Sequence, residues 1–164
     1  MLQCALLSMV MGQQFITIPF AYSSSNSTQP LRLSGPVNSI QFSSEGDVLW
    51  LISGRWRMDL NFDNTGNVPR EIKNFTATLV VVSADGSITE RYELSDFTQD
   101  SLTYDNKTKT SSIKGKLTMP SKTQPVENIA VDLKLINKNI LTITLDPAKT
   151  RDKLGETPIY GIER

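Results

Sequence analysis

Arg55-Trp56-Arg57-Met58-Asp59-Leu60-Asn61-Phe62 decides the fold class. Its apolar residues, Trp56, Met58, Leu60 and Phe62, alternate strictly with Arg55, Arg57, Asp59 and Asn61. On a pleated strand this period of two puts every apolar side chain on one face and every polar one on the other. A helix would spread the same residues around its circumference.

Working outward, the same alternation recurs in Phe75, Ala77, Leu79 and Val81, and more briefly in Leu102 and Tyr104. It returns in Ile113, Leu117 and Met119, in Ile129, Val131, Leu133 and Leu135, and in Leu141, Ile143 and Leu145. Polar turn sequences separate these runs: Asp63-Asn64-Thr65-Gly66-Asn67, Ala84-Asp85-Gly86-Ser87, Asp105-Asn106-Lys107-Thr108 and Asn137-Lys138-Asn139. Asp-Gly supplies the positive backbone angle of a tight hairpin. The expectation is an all-β fold: one antiparallel sandwich or barrel-like domain over residues 39–164, with a short helical turn between Pro147 and Leu154. Trp50, within the continuous apolar run Val48–Ile52, also reads as buried.

The chain has 164 residues, 17 of them basic and 17 acidic, so its formal net charge is zero. That balance argues against a protein built to grip nucleic-acid phosphates. It contains no histidine, and Cys4 is the only cysteine. Serine-histidine and cysteine-histidine catalysis, and thiolate or imidazole zinc sites, are excluded by composition. No glycine-rich loop resembles a P-loop or a dinucleotide fingerprint. Serines and carboxylates are plentiful, but nothing in their order selects a catalytic pair, so a non-catalytic protein without a cofactor is expected.

No charged residue precedes Arg32, and Leu2–Tyr22 is largely apolar before Ser23-Ser24-Ser25-Asn26-Ser27-Thr28. Residues 1–23 read as a secretory signal, with Ala21-Tyr22-Ser23 as the cleavage pattern, or as a membrane anchor. Gln13-Gln14 and Pro19 interrupt the span reading, and a basic n-region is missing from the signal reading. Residues 24–38 read as a polar segment ahead of the domain. Export would place the chain outside the cell or on the outer face of its membrane. Asn26, Asn74 and Asn106 each open a glycosylation sequon, Asn106 in the most turn-like setting.

Other candidate sites have plainer readings. Asp59, Asn61, Asp63 and Thr65 place oxygens at alternate positions, yet Asn64 stands where a calcium loop needs glycine, and no closing glutamate follows. Trp56 shares its face with Met58 and Leu60, so it reads as core rather than as an aromatic binding platform. Arg55 and Arg57 read as an exposed face with Asp59 beside them. Lys114, Lys116, Lys122, Lys134 and Lys138 fall where solvated or edge-protecting lysines belong. Glu90 is different: it shares a strand face with Ile88, Tyr92 and Leu94, so it should lie at a rim, meet a cation or shift its ionisation.

Gly54-Arg55-Trp56-Arg57-Met58-Asp59, Asn74-Phe75-Thr76-Ala77, the stretch from Asp85-Gly86 through Leu94-Ser95-Asp96-Phe97, and the ending Leu145-Asp146-Pro147-Ala148-Lys149-Thr150 with Pro158-Ile159-Tyr160-Gly161-Ile162 carry a resemblance. Together they resemble an uncharacterised group of small exported all-β proteins of ammonia-oxidising archaea. In that group a His-x-His-Glu segment and a later loop histidine suggest metal binding, since residues two apart on a strand point to one side. The matching positions here are Glu90, Tyr92 and Lys153, none of them an imidazole. The resemblance therefore implies no metal in this chain and an ion pair between Lys153 and Glu90.

The functional expectation is a non-catalytic exported or cell-envelope domain acting through contact with an envelope protein or a glycan. It would meet a membrane only through residues 2–22. A small-molecule carrier with a barrel pocket and an accessory subunit of a membrane complex are the alternatives.

Overall fold

Alternation and turns together give the chain its strands: β1 (Leu31–Phe42), β2 (Val48–Phe62), β3 (Pro69–Ser83), β4 (Thr89–Asp105), β5 (Thr110–Met119), β6 (Val126–Ile136), β7 (Ile140–Leu145) and β8 (Ile159–Ile162), with helix α1 (Pro147–Thr150) before β8. The computed structural model describes residues 30–63, 68–120, 124–150, 154 and 157–164. Each strand pairs antiparallel with the next, and β8 returns to β1 to close a barrel. Of the two all-β architectures left open by the sequence, the barrel is the one formed.

The alternation sets the barrel's inside. Trp56, Met58 and Leu60 are buried on β2, and Phe75, Ala77, Leu79 and Val81 on β3. Leu133, Leu135, Leu141 and Ile143 meet them from the other side of the same apolar cluster. Phe75 also meets the Phe97 ring edge-on, with centroids 5.9 Å apart. Fully burying one such side chain stabilises the fold by about 1.5–3 kcal/mol, so this filled interior is the main source of stability.

Turns and bulges shape the wall. Gly86 takes φ 74° in the β3–β4 turn. Asn137 and Lys138 both adopt positive φ between β6 and β7, as the hairpin that best matches strand twist requires. Register slips between Asp59 and Leu60 against β3, and twice along β4, where Asp96 has φ 52°. Bulges of this kind bend a strand and increase its twist, which helps a sheet close on itself. Beside the β3 bulge, beyond the end of the β3–β4 ladder, the Ile72 N–H donates to the Gln99 side-chain oxygen at 2.9 Å.

The closing seam is narrow. Val37 against Gly161 is the one residue pair in the β1–β8 ladder. Gly35 and Gly161 let the backbones approach: a Cβ on Gly35 would overlap the Ile162 carbonyl oxygen, and one on Gly161 would press the Trp56 indole. Gln41, 1% exposed, accepts from the Thr157 hydroxyl and donates to Ser39 Oγ, tying the C-terminal segment to β1. Asp146 caps α1 by accepting from the Ala148 N–H at 3.0 Å. Beyond α1, Leu154 joins the core.

Two expectations change. The β structure begins at Leu31, within the segment read as a polar lead-in over 24–38, and not at 39. Gly35-Pro36 looks like a break, but Gly35 serves the seam, and Pro36 is tolerated where β1 has so little ladder on its β8 side. Trp50 is only partly buried, packed against the core beside the inward-pointing Ile52, while its neighbours Leu49 and Leu51 are 44% and 45% exposed.

Candidate functional site

The barrel's outer face is chemically lopsided. On β4, β5 and β6 it carries Arg91, Glu93, Lys114, Lys116, Asp132 and Lys134, all exposed. Lys114 and Asp132 pair at 3.4 Å, and Arg91 and Glu93 at 4.0 Å, in the solvated arrangement expected of exposed charges. Such a face does not form the outward apolar band by which barrels sit in a membrane. Among the described residues no helix is long and apolar enough to cross a bilayer either.

On the opposite side, β1 and β2 turn apolar side chains outward near the β1–β2 turn. Ile40, Leu51 and Val82 are cross-strand neighbours, since Leu51 pairs with both. Ile40 is 49% exposed, and Phe42, Leu49 and Tyr160 are similarly open. Ile40, Phe42, Leu51, Val82 and Tyr160 line an open depression of about 800 Å3, bordered by Asn38 and Ser53. Ile140 and Ile162, paired on β7 and β8, extend the exposed apolar surface. Aliphatic side chains clustered in solvent mark interaction surfaces more often than isolated ones do.

The sequence did hold a signal for this face. A period of two leaves Leu49 and Leu51 on the side opposite Trp50 and Ile52, so a strand apolar at every position must be apolar on both faces.

The singled-out residues are scattered around the barrel. Glu90 sits at the first inward position of β4, half-buried, and its carboxylate accepts a hydrogen bond from the Tyr92 hydroxyl. Lys153 lies outside the described residues, and so does the ion pair expected of it. Asn26, Asn64 and Thr65 also lie outside them. Asn74 is exposed within β3, and Asn106 is exposed in the β4–β5 turn, where its side-chain oxygen accepts from Lys109 Nζ at 2.6 Å.

Asp59 does not serve Arg55 or Arg57. It binds Arg32 Nε at 2.8 Å across the β1–β2 register, and this hydrogen bond, with the attraction between the charges, raises the arginine's pKa. Lys138 Nζ stands 4.5 Å above the Phe62 ring, a cation–π contact at the barrel's end. Among the described residues no group of His, Cys, Asp and Glu is arranged to hold a metal ion.

Comparison with protein-family models, curated proteins and solved structures yields no match.

Proposed function

We propose that this chain is a non-catalytic, exported binding domain whose outward apolar face docks against another protein. The observation that carries this reading is the exposed cluster of Ile40, Phe42, Leu49, Leu51 and Tyr160, set against the charged outer face of β4–β6. Water contact with such a cluster is unfavourable, and burial against a partner removes it. Export is supported by the uncharged apolar stretch that precedes Arg32.

The chemistry of the face selects a protein over a glycan. Isoleucine and leucine offer no hydrogen bonds to sugar hydroxyls, and only Phe42 and Tyr160 offer rings for stacking. The interior, meanwhile, is occupied by its own side chains: Met58, Leu60, Phe75, Leu79 and Leu133 are fully buried. That packing favours contact at the surface over a ligand carried inside.

A photo-crosslinking residue in place of Leu51, with one in place of Lys134 as control, tests the reading in cells. The expected result is one partner protein joined to the Leu51 probe alone. That partner, purified, binds the chain and loses binding on Leu51→Glu while the barrel's denaturation midpoint stays unchanged. Adducts formed only with a second copy of the chain, or a purified partner indifferent to Leu51→Glu, would overturn it.

A further inference from the structure

Further along the same strands, the outer face of β1–β3 holds a groove of about 420 Å3 with a different chemistry. Arg55, Arg57, Arg164, Ser34, Thr76 and Thr78 line it. The register assembles them. Ser34 and Thr76 flank Arg57 on either side, and Thr78 stands beside Arg55. Arg164 joins from the far end of the sequence, where its backbone N–H donates to the Ser34 carbonyl at 3.0 Å.

These guanidinium charges are not balanced by the fold. Among the described residues neither Arg55, Arg57 nor Arg164 forms an ion pair with a carboxylate. Asp59, the nearest acid along β2, is held by Arg32. Glu93, which pairs with Thr78 in the ladder, is solvent-exposed with Arg91 4.0 Å away. A concave surface lined by one sign of charge concentrates the opposite ion.

We propose that this groove binds a phosphate-type dianion. Guanidinium forks bind oxyanions through paired N–H donors, and the hydroxyls of Ser34, Thr76 and Thr78 add donors between them. One carboxylate brings a single charge and two oxygens lying in a plane. A tetrahedral dianion answers donors arriving from strands on both sides and from the C-terminal residue, and it neutralises more of the charge. Because the groove is open to solvent, a phosphoryl ester on a larger carrier reaches it as well as the free ion does.

The test titrates the purified chain with inorganic phosphate, phenyl phosphate and acetate at constant ionic strength, following arginine side-chain and Thr76 and Thr78 amide resonances. We expect saturable binding of a phosphate compound, with acetate at least about tenfold weaker. The double variant Arg55→Gln, Arg57→Gln should bind at least about tenfold more weakly at an unchanged denaturation midpoint, since both side chains lie outside the core. Tighter phenyl phosphate assigns the source to an ester, and tighter inorganic phosphate to the free ion. A response that never saturates, acetate binding as strong as phosphate, or a double variant with full affinity would each overturn the proposal.

Discussion

Gly161 lies so close beneath the Trp56 indole that a Cβ there would come within 2.6 Å of Nε1 and 2.7 Å of Cδ1. Trp56 is 2% exposed, and its N–H finds no acceptor among the described residues. The indole thus acts as a space-filler against the β1–β8 closure, and the missing side chain at 161 makes room for it.

Gly161→Ala should therefore destabilise the barrel by about 1–3 kcal/mol, the usual cost of overpacking a filled core. Gly46, at φ 92° with open space around it, is the control: alanine there strains only the backbone, costing about 1–2 kcal/mol. Their separation shows in hydrogen exchange. We expect Gly161→Ala to speed exchange along β8 and the facing part of β1, and Gly46→Ala to leave those strands protected. Equal protection of the seam in both variants would refute the packing account.

Gln99 does a backbone's work at the β3 bulge. Removing its acceptor by Gln99→Ala leaves the Ile72 N–H unsatisfied, and we expect a loss of about 1–3 kcal/mol in chemical denaturation. Gln99→Glu keeps an acceptor oxygen and should recover most of that loss. Failure of the glutamate to do better than alanine would show that the side chain matters for packing alone.

Opposite faces of one strand should answer differently to the same truncation. Met58 is fully buried on β2, so Met58→Ala should cost about 2–5 kcal/mol. Leu51 points outward and is 45% exposed, so Leu51→Ala should change stability by no more than about 0.5 kcal/mol. Comparable losses at both sites, measured by urea denaturation, would place Leu51 inside the fold.

The β3–β4 turn should respond to acid. Hydrogen bonds from the Ser83 hydroxyl, the Ser87 N–H and the Ser87 hydroxyl hold the Asp85 carboxyl down to about 2, below its ordinary 3.8. A carboxyl depressed on folding contributes stability above its unfolded pKa and loses that contribution as pH falls through the folded one. The turn should thus stay closed above about pH 4 and loosen as pH approaches 2. A carboxyl-carbon titration of Asp85 by NMR measures this directly. A midpoint at the ordinary value would mean that these hydrogen bonds do not form in solution.

The sites were less legible than the strands. Parity along β4, a local property, sets the Glu90 carboxylate on an inward-facing register, opposite buried Val81. Its Tyr92 contact follows from the same parity, the two being neighbours on one face. The apolar face depends on combining the parity of β1, β2 and β8, whose residues lie far apart in sequence. Arg55 and Arg57 are exposed, as their parity implies, with Asp59 next along the same face. Only the register shows that Asp59 is taken by Arg32.

What the sequence determined by itself was which side chains turn inward and where the chain reverses. Both are written in short-range terms: alternation places neighbours on opposite faces, and Asp-Gly or Asn-Lys supplies the backbone angles of a turn. The tertiary structure alone decided that the sheet curls into a barrel and does not stack on a second layer, since either arrangement buries one face of every strand. That choice rests on bulges that bend the wall, on an approach between Gly35 and Ile162 that admits no side chain, and on an indole filling the space over Gly161. The partners in each of those contacts come from distant parts of the chain, so no local pattern encodes them.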